Sequence, residues 1–391
     1  MTPHRFAFPT AIHFGPGVSR TVGAHLADLG KRRPLLVTDR ALAQLPVTRA
    51  FIDSLEQAGL DVLVFDGVYG NPMVSQANAG GGAYQSHRAD AVVGFGGGAA
   101  MDVAKLVGVL GTAGGDALEY AYDHPQVRVI PDQVPYFVAL PTTAGTGSEV
   151  GRSSVVSEDD THVKRIVFSP KILARAVFAD PELTLDLPAP ITAATGMDAL
   201  THNIESYLSP AYHPLCDGIA LEGVRIAARA LPIAVANGHD LAARSDMMMA
   251  SMMGAIAFQK DLGAVHSCAH ALSTVADLHH GLANGIMIDH VMRFNREAAT
   301  AKMAELARVA GATGGESGSL DSRAEAFVRW LTKLKASLGI PATLSGYRGA
   351  RNVTREDIPA LVRVAEKDIC HQTNPRPCTA ADFKALFEAA L

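Results

Sequence analysis

The sequence predicts a fold in two parts, an α/β half over residues 1–187 built on a parallel sheet, and an all-helical half over residues 188–391. Three observations lead there. Short β-branched runs alternate with helical patterns in the first half, strand signals cease after about Pro188, and the remainder of the chain is rich in Ala, Leu, Met and His at helical spacing. A chain of 391 residues is also too long for a single core, and 48% hydrophobic with 19% charged residues is the composition of a packed globule.

"RPLLVTD", Arg33 to Asp39, reads as a strand and precedes the helical "ALAQLPVTRAFIDSLEQAG". "DVLVFDGV" is the next strand, and after it come a helix-length segment, then "ADAVVGFGGGAAMDVAKLVGVL" as strand, turn and helix, and "PYFVALPTTAGTGSE" as strand and turn. Strand and helix in alternation give a parallel sheet covered on both faces. The boundary falls near "LTLDLPAP", and beyond it "ITAATGMDALTHNIESYL" and "DLAARSDMMMASMMGAIAF" carry the helical period. "GATGGESGSL", Gly311 to Leu320, reads as an exposed loop between helices, because the period continues on both sides. No internal repeat is present.

A net charge of -5 without a run of Lys and Arg argues against nucleic acid as a partner. The N-terminus has no apolar stretch behind a basic one, and nothing approaches the roughly 18 to 20 apolar residues that span a bilayer, so the expectation is a cytoplasmic protein without a membrane partner. Cys216, Cys268, Cys370 and Cys378 are scattered and form no CxxC pair, which points away from disulfides and from a sulfur-rich zinc site. A bound metal is then held by nitrogen and oxygen.

"GFGGGA", Gly94 to Ala99, fits GxGxxA directly after a strand and leads into a helix carrying Asp102 and Lys105. Missing β-carbons let the backbone approach a pyrophosphate, and the helix directs its N–H groups at the anion, as in Rossmann-like domains. The same turn also serves simple close packing of strand and helix. Asp116 has the spacing of the ribose-binding acid but lies in "GTAGGDAL", away from a strand end. Asp39 closes a strand and is the better candidate to accept bonds from an adenosine ribose while repelling a 2′-phosphate, which favours NAD over NADP. "PTTAGTGSE", Pro141 to Glu149, crowds hydroxyls and glycines after another strand, where such sheets bind phosphate and nicotinamide groups. Neither turn matches the triphosphate-binding GxxxxGK[ST].

The second half concentrates imidazole. "GAVHSCAHALSTVADLHHGLAN" holds His266, His270, His279 and His280, four of the chain's 15 histidines, with Asp277 its one charged residue. Asp198 and His202 stand at i and i+4, on one helix face, and His266 and His270 repeat the spacing. His266 and His280 would stand about 21 Å apart if the helix were continuous. Both reach one ion only if the chain turns back, and "LSTVADLHHG" supplies the break, with Gly281 opening the next helix. One carboxylate and three imidazoles suit zinc or ferrous iron, leaving a position where a substrate oxygen is polarised by Lewis-acid action.

"GFGGGAAMDVAK", "PTTAGTGSE", "ATGMDALTHNIE" and "VHSCAHAL…HHGLAN…HVMRFN", in this order and down to "CHQTNPRP", together resemble the iron-dependent (group III) alcohol dehydrogenase family over nearly the whole chain. The resemblance implies the dehydroquinate synthase-like fold of iron-containing alcohol dehydrogenases: a nucleotide-binding α/β domain, an all-helical domain, a metal in the cleft between them, and a homodimer. Carried over by motif, Asp198, His202, His266 and His280 are the metal ligands, for Fe(II) or Zn(II), and His270 is the non-ligand histidine beside the nicotinamide. Asp39, Asn71, Gly97, Gly98, Thr142, Thr143, Thr146, Lys164 and Leu183 match cofactor positions. One departure is Ala99, where the family usually has Ser. It removes a hydroxyl from the phosphate region while keeping the backbone donors, so modestly weaker cofactor binding is expected.

Within the family, "RRPLLVTD", "HPLCDGIALEG" and "AFQKDLGAVHS" look most like the branch with 4-hydroxybutyrate dehydrogenases. The implied activity is metal-dependent, NAD(H)-linked hydride transfer on a small primary alcohol or hydroxy acid, or reduction of the matching aldehyde. Arg152 and Lys260 are candidates to engage a substrate carboxylate, with Ser153 and Phe258 beside them; a solvated Arg and Lys is the alternative reading. The competing activities are a broad short-chain alcohol or diol dehydrogenase, a lactaldehyde-type reductase, a metal- and NAD-dependent cyclase of the dehydroquinate synthase type, and a nucleotide sensor without a metal.

Overall fold

The computed structural model describes residues 6–8, 10–347 and 351–391. Two compact units are present, one of the residues up to Thr143 with Gly147–Leu185, the other of Ala144–Thr146 with Asp186–Leu391.

The first unit runs β1 (Ala11–Phe14), α1 (Val22–Asp28), β2 (Pro34–Asp39), α2 (Pro46–Gln57), β3 (Leu63–Val68), α3 (Val74–His87), β4 (Ala91–Gly96), α4 (Gly98–Ala113), β5 (Tyr136–Pro141), β6 (Ser153–Ser157), β7 (Lys164–Phe168) and β8 (Ala176–Ala179). Six strands form a parallel sheet in the order β1-β8-β5-β4-β2-β3. β2, β4 and β5 are buried almost throughout, which is why they read as unbroken apolar runs without alternation. On one face Leu36, Val93, Phe95 and Val138 pack with Leu26 of α1 and Phe51 and Leu55 of α2, the Phe51 and Phe95 rings stacking at 4.8 Å. Val74 and Ala77 of α3 pack with Leu106 and Val109 of α4 in a second cluster.

The sequence pattern did not reveal β1, β8 or the antiparallel β6–β7 hairpin. These strands have four or five residues; β1 is exposed along its length, β6 reads "SSVVS", and the apolar run of β8 is only four residues long. The hairpin is tied to α4 by charge. Asp102 accepts from Ser148 Oγ at 2.6 Å and from Val155 N at 3.0 Å. Lys105 Nζ donates to Ser148 Oγ at 2.7 Å and to Ser153 O at 2.6 Å. Burial pushes the Asp102 pKa up and the Lys105 pKa down, and their mutual attraction opposes both shifts. Hydrogen bonds to the remaining polar atoms make such a buried pair tolerable.

The second unit is helical: α5 (Ala189–Leu208), α6 (Pro214–Ala236), α7 (Leu241–Ala257), α8 (Ala264–Ala276), α9 (His280–Asn295), α10 (Thr300–Val309), α11 (Leu320–Ser337), α12 (Ile358–Lys367) and α13 (Ala380–Ala390). Its core gathers Met197, Leu200 and Ile204 of α5, Leu231 of α6, Leu272 of α8, Ile286 and Val291 of α9, Phe327 of α11 and Phe383 of α13. The segment 311–319 is a largely exposed connection between α10 and α11. Between α8 and α9 the chain reverses through Asp277, whose φ of 51 is left-handed, and His279, whose Nδ1 accepts from Leu282 N at 3.4 Å as the cap of α9. Gly281 lies in the first turn of α9, and a β-carbon there would stand 2.3 Å from Ala194 O of α5. The two helices therefore approach with only a hydrogen atom between them.

Glu149 supplies a pH test. Burial pushes its carboxyl up to about 7, against its own backbone N–H and the Lys105 charge. Between the unfolded value of 4.5 and about 7 the folded chain keeps a proton that the unfolded chain has lost, so this group's stabilising effect disappears as pH rises through that window. Glu149→Gln is expected to be more stable than the parent at pH 8 by about 3 kcal/mol. The difference should shrink toward pH 5, as read by calorimetric melting at the two pH values.

Candidate metal centre and nucleotide turn

Asp198, His202 and Glu205 recur at i, i+4 and i+7 on α5 and so share one face. α8 contributes His266 and His270, and α9 contributes His280 and Asn284. Asp198 Oδ1 lies 3.9 Å from His202 Nε2, 3.6 Å from His266 Nε2 and 3.5 Å from His280 Nε2. Donors about 2.1 Å from a common ion in tetrahedral array stand about 3.4 Å apart. The donor atoms of Asp198, His202 and His266 all lie within 4.8 Å of one another, a group that could hold a cation, and His280 approaches it from the Asp198 side. Asp198, His202 and His266 are 2%, 5% and 1% exposed, which leaves water little share in neutralising the carboxylate.

The electrostatics agree with the geometry. Burial favours the neutral acid at Asp198, but the imidazoles of His202, His280 and His266 outweigh it and hold the carboxyl well below its usual range. Burial pushes His202 down to about 4, so it is a neutral ring with lone pairs to give. At His266 burial also opposes charge, yet contacts with Asp198 and Glu205 prevail and push it up to about 9. The two carboxylates thus favour positive charge at this position.

Three residues that sequence reasoning missed complete the centre. Glu205 Oε2 lies 2.7 Å from His266 Nδ1, and Oε1 accepts from Val265 N at 2.7 Å, so one carboxylate orients the ring and caps α8. Asn284 Nδ2 donates to Asp198 Oδ1 at 2.7 Å and lies 3.4 Å and 3.3 Å from the Nε2 atoms of His266 and His280. Asp368 Oδ2 lies 2.7 Å from His270 Nδ1. Glu205 and Asn284 carried a signal in the helical spacing from His202 and His280. Asp368 is 98 residues from its partner, and nothing local marks it.

His270 stacks on His280 with centroids 5.2 Å apart, and His279 is an exposed helix cap. Donor atoms of His270, Asp368 and Cys370 also lie within 4.8 Å of one another, but the Asp368 carboxylate is already engaged by Ser267, His270 and the Cys370 backbone. The Phe258 ring is 5.5 Å from that of His202 and so borders the centre. Lys260 requires a correction. Its side chain is fully buried and its ammonium pairs with Asp217, so it is neither a solvated lysine nor an open anchor for a substrate carboxylate. Arg152 is half-buried, its guanidinium 5.4 Å from the Phe168 ring, while the Ser153 carbonyl is held by Lys105.

In the first unit, the chain leaves β2 toward β3 and leaves β4 toward β5, so the order reverses between β2 and β4. Parallel sheets bind nucleotides beyond the strand ends at such a point. Asp39 ends β2 and Gly96 ends β4 there, and a β-carbon on Gly96 would stand 3.7 Å from Asp39 Oδ2. Asp39 Oδ1 accepts from Ala41 N at 3.1 Å and Leu42 N at 2.8 Å. Gly96 has φ 154, and a β-carbon would also meet Ala100 at 2.7 Å, so the turn admits only glycine at this position. Gly97 caps α4, which begins at Gly98, and a β-carbon on Gly97 would lie 3.3 Å from Thr143 Oγ1. Thr142 N donates to Gly96 O at 3.0 Å, joining the two turns. Asn71 comes after β3, Lys164 opens β7, and Leu183 packs on the sheet core. Thr146 falls in the short stretch that clusters with the helical unit.

Models of two families match the chain, iron-containing alcohol dehydrogenase over residues 9–181 and the C-terminal part of the Fe-containing alcohol dehydrogenase family over residues 192–391. The chain belongs to the iron-containing alcohol dehydrogenase family. Among its relatives, the 4-hydroxybutyrate dehydrogenase of Cupriavidus necator is 37% identical over 391 residues, covering 98% of each chain. The crystal structure of a 1,3-propanediol oxidoreductase superimposes with a TM-score of 0.93 at 35% identity over 100% of both chains. A sulfoacetaldehyde reductase from Bifidobacterium kashiwanohense, solved in complex with NAD+, superimposes at 0.88 with 28% identity over 100% of this chain and 99% of that one. This iron-containing alcohol dehydrogenase is accordingly an oxidoreductase, and its donor set of one carboxylate and imidazoles fits the metal that the family name states.

Asp198→Ala is expected to abolish stoichiometric metal while far-ultraviolet circular dichroism stays that of the parent. Glu205→Gln keeps all four donor groups and should weaken metal binding roughly 10- to 100-fold, measured by competition with a chelator.

Proposed function

We propose that this alcohol dehydrogenase transfers hydride between NAD(H) and a small primary alcohol or ω-hydroxy acid, with 4-hydroxybutyrate the first candidate, using one divalent cation, iron or zinc. In this reading residues 1–187 hold the cofactor and 188–391 the metal. The observation that carries it is the convergence of three imidazole Nε2 atoms within 3.9 Å of the buried Asp198 carboxylate. The full-length similarity to the Cupriavidus necator enzyme favours a hydroxy acid, and the likeness to the 1,3-propanediol oxidoreductase keeps an uncharged diol as the second reading.

The cation supplies Lewis-acid polarisation of the substrate oxygen, and the nicotinamide supplies or accepts the hydride. Asp198, His202, His266 and His280 hold the cation, and Glu205 keeps the His266 ring aimed by bonding its far nitrogen. His270 carries the proton between substrate oxygen and solvent. Phe258, beside His202, gives the site an apolar wall that excludes water. Gly96 to Gly98 let the backbone approach the pyrophosphate, with hydroxyls from Thr142, Thr143 and Thr146, while Asp39 accepts from the ribose and rejects a 2′-phosphate. Asn71, Lys164 and Leu183 complete the cofactor side, Arg152 receives the substrate carboxylate, and Ser153 lies next to it.

The same reading implies a homodimer in the cytoplasm. Among the described residues, no helix is long and apolar enough to cross a membrane.

The test is a substrate panel on protein reconstituted anaerobically with Fe(II). 4-Hydroxybutyrate with NAD is expected to give a higher kcat/KM than 1,3-propanediol or ethanol, and Arg152→Ala should raise its KM roughly tenfold, the loss of about 1.4 kcal/mol, without affecting uncharged alcohols. Equal turnover of all three substrates would reject the hydroxy acid, and product formation without net NADH would favour an internal-redox cyclase. Asp39→Gly should let NADP compete, seen as a fall in the NAD/NADP ratio of kcat/KM.

A further inference from the structure

The carboxylate of Asp368 is bonded through both of its oxygens. Oδ2 lies 2.7 Å from His270 Nδ1, and Oδ1 accepts from Ser267 Oγ at 2.8 Å and from Cys370 N at 2.9 Å. Ser267 is fully buried, and its Oγ also accepts from His371 N at 2.9 Å, so the hydroxyl hydrogen is committed to Asp368. Ser267 and His270 are three residues apart on α8, and a single carboxylate after α12 therefore grips two positions of one helix face.

We propose that Asp368 is a positioning residue for proton transfer: it takes the Nδ1 hydrogen of His270 and so leaves that ring's lone pair on Nε2, given the reading of His270 as the proton carrier. An ionised carboxylate accepts and cannot donate, so Nδ1 must carry the hydrogen whenever the two atoms are bonded. A neutral imidazole with its hydrogen on Nδ1 presents Nε2 as the base. Burial favours the neutral acid at Asp368, but His270, Ser267 and the Cys370 N–H outweigh it and hold the carboxyl well below its usual range. Ring rotation is limited as well, because His270 stacks on His280 at an interplanar angle of 20°. A base oriented by a third group is the arrangement that gives serine and cysteine hydrolases their correct tautomer.

The arrangement makes Asp368→Asn diagnostic. The amide keeps the shape, and its oxygen must stay with the two donors Ser267 Oγ and Cys370 N. The NH2 group then faces Nδ1, which becomes an acceptor, and the hydrogen moves to Nε2. Zinc-loaded protein with 15N-labelled histidine, the His270 signals assigned by comparison with His270→Gln, reports the tautomer directly in long-range 1H–15N spectra. The parent should show His270 with its hydrogen on Nδ1, and Asp368→Asn should show it on Nε2. In the same variant kcat should fall roughly 10²- to 10⁴-fold, with metal content and the KM for NAD unchanged. Asp368→Glu, which still accepts, should keep the parent tautomer and recover part of kcat.

A parent with the hydrogen on Nε2, or the same tautomer in parent and Asp368→Asn, overturns the inference. The parent spectrum alone decides this if the variant does not fold. A tautomer that moves while kcat does not would uphold the positioning by Asp368 and refute the role of His270 as proton carrier.

Discussion

A carboxylate 2% exposed to solvent, such as Asp198, needs nearby positive charge or hydrogen bonds worth several kcal/mol to remain ionised. That requirement organises the helical unit. α5 brings the carboxylate, α8 and α9 bring rings to it, and the chain reversal at Asp277 exists so that two successive helices can face the same oxygen. The surrounding core is rich in Ala, Leu and Met, so the compensation comes from the polar groups that α5, α8 and α9 bring to the carboxylate. Asn284 supplies one such contact, its amide donating to Asp198 Oδ1.

α8 carries two histidines one turn apart, and each has its Nδ1 held by a carboxylate at 2.7 Å. The same bond serves two ends. Glu205 turns His266 toward Asp198 and at the same time caps the start of α8. Asp368 holds a ring that stacks on the centre but does not join it. Two residues of one type at one spacing thus differ by where their partners lie, α5 in one case and the loop after α12 in the other. The sheet unit uses charge in a different way: Asp102 and Lys105 lock a hairpin and the hydroxyl-bearing turn against α4.

The legible parts of the sequence were those where one period decides the outcome. The buried strands β2, β4 and β5 are continuous apolar runs, and the i, i+4 pair of Asp198 and His202 can only lie on one helix face. The break expected in "LSTVADLHHG" falls at Asp277 and His279, with Gly281 in the first turn of the next helix. The features that escaped depend on tertiary placement. β1, β8 and the β6–β7 hairpin are too short to announce themselves, and β6 is polar as well. Lys260 was read as a substrate anchor or a solvated cation because nothing in the sequence shows that Asp217, 43 residues away, pairs with it. Asp368 was invisible for the same reason.

The missing side chain at Gly281 limits how this centre can adapt. With Ala194 O where a methyl group would be, α5 and α9 are already at their closest approach, and neither can slide inward to grip a smaller ion. A change of ionic radius must be absorbed by torsions of the imidazole and carboxylate arms, leaving the backbone scaffold still. In the proposed metal site, the bonds from Glu205 to His266 and from Asn284 to Asp198 are what would hold those arms against such a change.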